Sequence, residues 1–246
     1  MKKLLLLIAF MGSLMAADMM FQSVEADKAT LLQKGNAKEY CPNCGMHLPK
    51  YYKTSHAVTF KDGTSRQFCS IHCLVDESEM GFLRDKKEKI AQILVTDVDS
   101  LKMVDAKKAF YVVGSKIKGT MTGNSKYAFA TKAGAEAFMV QNGGKITTFD
   151  EAYDIALKDF TNDMKMMKAK RNDGVYAMGK DAMSKFCDET KVMNIHAHNM
   201  GETKQAIKES GVCKADLTDM QLQAITLYYW DIKLDNFEKS YGKLLK

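Results

Sequence analysis

Four cysteines in the first third of the chain constrain its fold more than any other feature. They form a C-x2-C pair, Cys41 and Cys44, and a C-x3-C pair, Cys69 and Cys73, with 24 residues between the two pairs. Two pairs at this separation are typical of a metal site. A zinc treble clef orders its ligands in this way, with a glycine-containing knuckle, a hairpin and a last ligand at the start of a helix. The spacing therefore predicts a metal knuckle and leaves the identity of the metal open.

Two stretches with the same order of elements predict a pair of tandem β-β-α-β units that share a small sheet, in an α+β domain. The elements of the first unit are the strands His56–Phe60 and Arg66–Phe68, a helix from Ile71 and a strand at Ile90–Val95. Residues 110–149 repeat this order without a cysteine. Ser70 and Thr131 stand where helix N-caps are expected.

After residue 150 the pattern changes to helix. Apolar residues recur at helical spacing from Asp150 to Arg171, and Thr218 with Gln221 forms a capping-box signature before the last helix. We therefore predict a metal-binding domain over residues 18–155 and a helical C-terminal module over residues 156–246.

The N-terminus predicts export. Lys2 and Lys3 precede an apolar run, Leu4 to Met15, and two alanines follow it. The run is shorter than the about 20 apolar residues that span a membrane, and it matches a secretory signal. We predict a signal peptide over residues 1–17 and a periplasmic chain that is soluble or N-terminally anchored.

The charge of the chain argues against nucleic acid as a partner. The formal net charge is +6, and it is spread over many lysines instead of forming one basic stripe. We also find no Ser-His-Asp set, phosphate loop or paired-carboxylate signature. We expect a binding protein and not an enzyme.

Three kinds of site are compatible with the C-x2-C pair. Four thiolates would form a closed, structural zinc site. Cu(I) prefers soft sulfur ligands, so Cys44, Met46 and a remote methionine would be enough to bind it. For the remote ligand we favour Met121 in the glycine-rich loop KGTMTGNS. A thiol-disulfide oxidoreductase has its cysteine pair at the start of a helix that follows a buried strand. The polar stretch LLQKGNAKEY directly before Cys41 does not provide that strand.

The helical module carries two further groups of metal-ligating residue types. Cys187 and Cys213 lie on either side of a predicted helix, and outside the cytosol we expect them to form a disulfide. A second metal site or free thiols are the alternatives. The stretch MNIHAHNM, residues 193–200, is a candidate second soft-metal loop. No C-x-x-C-H motif for covalent haem attachment occurs.

Several segments together resemble one known family. They are CPNCGMHLP at 41–49, FCSIHCL at 68–74, VTDVDS at 95–100, AFYVVGSKIKGTMTG at 109–123 and YAFAT at 127–131. Over about residues 38–155 the chain resembles the NosL family, accessory copper proteins of nitrous oxide reductase. The resemblance implies two β-β-α-β units and a periplasmic chaperone that binds one Cu(I). It also implies delivery of that copper to nitrous oxide reductase, through the membrane transporter complex that assembles its copper centres.

The resemblance also implies metal ligands. Cys44 and Met46 match the Cys-Gly-Met motif of the family, and Met121 matches the methionine of its glycine loop. A histidine is a further candidate ligand, and the choice among His47, His56 and His72 stays open.

The chain departs from the family pattern in three places. Family members are usually lipoproteins, but no cysteine stands near residue 17. Thr120 occupies the position of the proline that usually precedes the loop methionine. Cys69 and Cys73 keep open a four-thiolate site that holds zinc or copper.

Overall fold

The computed structural model describes residues 20–214 and 216–244. The predicted signal peptide lies outside the described residues. Among the helices that are described, none combines the length and the apolar character needed to cross a membrane.

The first β-β-α-β unit forms an antiparallel sheet in the order β2-β1-β3-β4. Helix α1 begins after Ser70, whose side chain accepts a hydrogen bond from the backbone N–H of Cys73, so the predicted cap is confirmed. Strand β4 was not predicted from the sequence. The elements are β1 (His56–Phe60), β2 (Ser65–Phe68), α1 (Ile71–Glu79), β3 (Ile90–Thr96) and β4 (Met103–Asp105).

The second unit repeats the order with a three-stranded antiparallel sheet, β6-β5-β7. Thr131 caps its helix by accepting from the backbone N–H of Gly134, as predicted. The elements are β5 (Phe110–Val113), β6 (Lys126–Phe129), α2 (Lys132–Asn142) and β7 (Lys145–Thr147).

Each unit has its own sheet, so the predicted single shared sheet is wrong. One parallel bridge, between Asp97 and Ala128, joins the two sheets. The chain turns immediately after β3, where the N–H of Leu101 donates to the carbonyl of Asp97. That turn ends the backbone pairing between the two sheets after one residue. Beyond it, the Asp97 carboxylate accepts a hydrogen bond from the N–H of Ala130 at 2.9 Å.

The C-terminal part is helical, as predicted. Helix α3 opens with a capping box formed by Thr148 and Glu151, and it continues without interruption through residue 155. Thr218 and Gln221 form the predicted reciprocal hydrogen bonds before α7. The helices are α3 (Phe149–Lys170), α4 (Tyr176–Phe186), α5 (Glu189–Met193), α6 (Met200–Glu209) and α7 (Asp219–Leu244), with a π-helical turn at Arg171–Val175 between α3 and α4.

The predicted disulfide between Cys187 and Cys213 is confirmed. The two residues face each other in a short antiparallel bridge, and the N–H of Asp188 donates to the carbonyl of Val212 at 2.8 Å. Two helices, α5 and α6, lie in the loop that it closes. The bridge therefore ties the end of α4 to the segment that leads into α7.

Candidate metal centre

The C-x2-C pair lies in a tight knuckle. The N–H of Cys41 donates to the carbonyl of Met46, and the N–H of Gly45 donates to the carbonyl of Cys41, both at 2.8 Å. Gly45 has φ +73°, a conformation that a residue without Cβ adopts at no steric cost. Tyr40 and His47 pair across the base of the loop. The knuckle therefore holds both thiols on one side of a closed turn.

The second cysteine pair meets this knuckle from the hairpin and the helix. Cys69 directly follows β2, and Cys73 lies in the first turn of α1. The four Sγ atoms all lie within 4.8 Å of one another. Among the residues described, this is the one group of three or more His, Cys, Asp or Glu side chains arranged to hold a metal ion.

The distances between the thiols fit a tetrahedral metal ion. Sγ of Cys69 lies 3.4 Å from Sγ of Cys44 and 3.6 Å from Sγ of Cys73. Four sulfurs bound to zinc at about 2.3 Å would be about 3.8 Å apart. All four side chains are buried, with Cys44 the most exposed at 3%. The donor set therefore fits a closed metal site.

The thiols differ in acidity. Burial raises the pKa of the Cys41 thiol, but hydrogen bonds from the other three thiols outweigh burial and leave this pKa well below its ordinary value. The pKa values of Cys69 and Cys73 lie well above the ordinary value, first because each thiol donates a hydrogen bond to Cys41. The metal-free cluster thus favours a thiolate at Cys41 and protonated thiols at Cys69 and Cys73, and a bound cation would displace those protons.

The three predicted Cu(I) ligands, Cys44, Met46 and Met121, line one cleft of about 470 Å³. The cleft lies beside the four-thiol cluster, and Cys44 belongs to both. Two further methionines, Met166 and Met167 of α3, also line it. Their pattern in the sequence did not mark these two as site residues, because apolar residues at helical spacing ordinarily belong to a core.

Carboxylates of α3 hold the loop that carries Met121. Met121 has φ +62°, an unfavourable conformation for a side-chain-bearing residue. The N–H of Gly123 donates to Oδ1 of Asp163 at 3.1 Å. Asp159 accepts from the side chains of Asn124 at 2.9 Å and Lys126 at 2.7 Å. Helix α3 therefore fixes the position of the methionine.

Thr120, which replaces the usual proline, also has a structural role. Its Oγ1 accepts a hydrogen bond from the hydroxyl of Thr54 at 2.7 Å. The same hydroxyl oxygen lies 2.8 Å from the carbonyl oxygen of Cys69. The buried hydroxyl of Thr54 therefore links the Met121 loop to the backbone of Cys69.

His72 is buried next to Cys73 but lies outside the four-thiol group. Its ring stacks on Phe160 with the centroids 4.8 Å apart, and Nδ1 lies 3.6 Å from Oδ2 of Asp163. Neither ring nitrogen has a hydrogen-bond partner. Burial lowers the pKa of His72. Its ligation, like that of the other candidate residues, stays a prediction.

The other two candidate histidines differ in availability. His56 is buried, with Nδ1 3.0 Å from the carbonyl oxygen of Thr54 and Nε2 3.1 Å from the hydroxyl of Tyr111, so both nitrogens are engaged. His47 lies on the knuckle and, with Met46, lines a second cleft. Of these two, His47 is therefore the one placed to meet a metal ion.

The helical module contacts the knuckle directly. The side-chain amide of Gln223 on α7 donates to the carbonyl of Cys44 at 2.8 Å, and Lys204 on α6 donates to Oε1 of Gln223 at 2.9 Å. Lys204 is buried over the ring of Tyr40, and burial lowers its pKa to about 8. No sequence motif pointed to the contact between Gln223 and Cys44, because these residues are 179 positions apart in the chain.

The predicted soft-metal loop at residues 193–200 is less enclosed. His196 and His198 are exposed. In the described part of the chain, neither comes together with two other His, Cys or carboxylate ligands. The N–H of Met200 donates to the carbonyl of Pro42 at 3.1 Å, so this loop is also fastened to the knuckle.

Comparison with models of known families agrees with the resemblance. The NosL family model matches residues 33–156, which is half of the 246-residue chain. Among solved structures, the chain is similar to the copper chaperone NosL from Shewanella denitrificans, with 25% identity and a TM-score of 0.37. That match covers 50% of this chain and 96% of the other. No curated protein sequence matches the chain.

Proposed function

Because the chain belongs to the NosL family, we propose that it is a periplasmic chaperone that binds Cu(I) and delivers it for maturation of nitrous oxide reductase. One observation carries the proposal. Cys44 and Met46 lie more than 70 positions from Met121 in the sequence, yet all three line one cleft. A thiolate and two thioethers form a soft donor set. Such a set binds soft Cu(I) in preference to the harder divalent ions.

The proposed mechanism is ligand exchange. Cys44, Met46 and Met121 hold Cu(I) with a low coordination number, which leaves room for a ligand of the acceptor to reach the ion. The acceptor's sulfur or imidazole then displaces the three ligands one at a time. Copper remains Cu(I) throughout, and no substrate bond is broken. The acceptor is nitrous oxide reductase or the transporter complex that assembles its copper centres, so the association with the membrane complex is transient.

A Cu(I) competition experiment tests the binding step. The anaerobic protein is titrated against a chromogenic Cu(I) chelator, and the double variant Met46→Leu/Met121→Leu is compared with the original chain. Leucine nearly conserves the methionine volume, so the fold is retained. We expect the variant to lose at least tenfold in affinity, equivalent to about 1.4 kcal/mol. An unchanged Cu(I) affinity in the double variant would refute the proposal.

Met139→Leu is the matched control. Met139 is partly buried on α2 and packs against the core of the second unit, away from the cleft. Delivery itself is tested by mixing the Cu(I)-loaded protein with copper-free nitrous oxide reductase and measuring copper transfer. Transfer no faster than from free chelated Cu(I) would contradict a chaperone role.

A structural zinc site is the second candidate, and the complete burial of the four thiols favours it. It predicts one zinc per chain and loss of the folded domain when a chelator removes the metal. It also predicts that Cys69→Ser, which removes a ligand outside the cleft, unfolds the domain. If Cys69→Ser instead stays folded and binds Cu(I) with unchanged affinity, the cluster is not an obligate zinc site.

A further inference from the structure

We propose that the helical module completes a second, outer Cu(I) site, formed by the thioethers of Met46, Met178 and Met220, where Cu(I) is captured before it passes inward to Cys44. This inference rests on the proposed function. It assigns a metal-binding role to helices that lie outside the residues matched by the family.

The outer site is a second cleft, of about 280 Å³, which Met46 also lines. Three separate elements bring methionine to it: the knuckle with Met46, α4 with Met178 and α7 with Met220. His47 also lines the cleft and adds an imidazole nitrogen. Three thioethers and an imidazole are soft or intermediate donors, and hard cations gain little from them.

The exposure of these methionines fits capture from solution. Met178 is 39% exposed and Met220 is 68% exposed. Single exposed apolar side chains are common on protein surfaces. Here two exposed thioethers from different helices border the same cleft as a third, less exposed one. An ion arriving from solvent can therefore reach the outer thioethers first.

The outer and inner clefts are adjacent. Both are lined by Met46, and Val175, Gln223 and Leu227 also border both. An ion held by Met46 can therefore exchange Met178 and Met220 for Cys44 and Met121 while it stays bound to Met46. Two thioether bonds break, one thioether bond and one thiolate bond form, and any proton on the Cys44 sulfur is released to solvent as the thiolate bond forms. The copper stays Cu(I), and no electron is transferred.

The chemistry of the donors sets the direction of this transfer. The outer thioethers are neutral, whereas Cys44 offers an anionic thiolate in the inner cleft. Cationic side chains line both clefts: Lys118, Lys170 and Arg171 the inner one, and Lys50 and Lys204, with the carboxylate Asp219, the outer one. These charges do not favour the inner cleft, so the direct bond from copper to an anionic sulfur sets the order of affinity. The inner site therefore binds Cu(I) more tightly, and movement from the outer site to the inner site is downhill.

Methionine methyl NMR tests the outer site directly. The full chain, labelled with 13C at the methionine methyl groups, is titrated anaerobically with Cu(I). We expect the first equivalent to shift the signals of Met46 and Met121. Because Met46 is then engaged in the inner cleft, the second equivalent should be held by Met178, Met220 and His47, and it should shift the signals of those two methionines. In Met178→Leu/Met220→Leu the second equivalent should be lost, and the first should load several times more slowly with unchanged final affinity.

Met164→Leu is the control, because Met164 is 37% exposed on α3 and lines neither cleft. The inference is overturned if the double variant binds the second equivalent as before, or loads the first at the original rate. If the original chain shows no first equivalent at Met46 and Met121, the proposed function itself fails. The two failures are therefore distinguishable.

Discussion

The side-chain amide of Gln223 donates a 2.8 Å hydrogen bond to the backbone carbonyl of Cys44. This bond joins the last helix of the chain to the knuckle that carries the predicted Cu(I) thiolate. The buried ammonium group of Lys204 donates a hydrogen bond to the side-chain oxygen of Gln223. The helical module thus forms part of the metal centre, although it lies outside the family match.

Gln223→Leu should loosen the knuckle. The substitution leaves the Cys44 carbonyl and the Lys204 ammonium without their partner, and an unsatisfied buried polar group costs about 1–3 kcal/mol. We expect a loss of that size in the free energy of unfolding, measured with urea, and faster release of Cu(I) to a chelator. Gln141→Leu, at an exposed position near the end of α2, is the control. Equal release rates in the two variants would show that Gln223 does not support the site.

Asp163 should act on copper binding through the Met121 loop. Asp163→Leu removes the acceptor for the N–H of Gly123, so the loop loses its support and Met121 is no longer held at the cleft. We expect Cu(I) affinity to fall by about tenfold, or 1.4 kcal/mol. Asp163→Asn keeps an acceptor oxygen and should bind nearly normally. Similar affinities in the Leu and Asn variants would refute this role.

The disulfide should stabilise the helical module without involving the metal centre. Thiol titration of the denatured, metal-free protein should find the four free thiols of the cluster, and six after reduction. Cys187→Ser/Cys213→Ser should cost about 2–4 kcal/mol in unfolding free energy. Because the bridge lies away from the cluster, metal content should remain the same. A count of six thiols before reduction would exclude the disulfide.

His56 should make the protein sensitive to acid. Burial lowers the pKa of His56 from 6.5 to about 4 in the folded state. Between these values the unfolded chain binds more protons than the folded one, so stability is intact above pH 6.5 and falls as the pH drops towards 4. The full loss is about 3 kcal/mol.

Urea unfolding at pH 7 and at pH 4.5 measures this effect. His56→Gln should show a smaller difference between the two pH values than the original chain. His196→Gln, which replaces an exposed histidine, should show the same difference as the original chain. An unchanged difference in His56→Gln would assign the acid sensitivity to other groups.

Local patterns predicted much of this fold. The strand at His56–Phe60, the caps Ser70 and Thr131 and the box at Thr218 with Gln221 were recognisable because each depends on residues a few positions apart. The separation into two sheets was not recognisable. It depends on a turn at Asp97 that ends the pairing, and on the Asp97 carboxylate, which accepts from the N–H of Ala130 just after β6.

The sequence by itself determined the cysteine knuckle, the treble-clef order of the four cysteines and the choice of Cys44, Met46 and Met121 as candidate soft-metal ligands. These follow from spacing and residue type, which are local properties. Only the tertiary structure decided that Cys44 lies both in a buried four-thiol cluster and on an open methionine cleft. It also decided that Gln223 bonds to that knuckle, and that methionines of α3, α4 and α7 line the same clefts as the knuckle does. Such contacts form when helices and strands pack against one another. The hydrophobic period and the spacing of motif residues do not indicate which distant side chains then become neighbours.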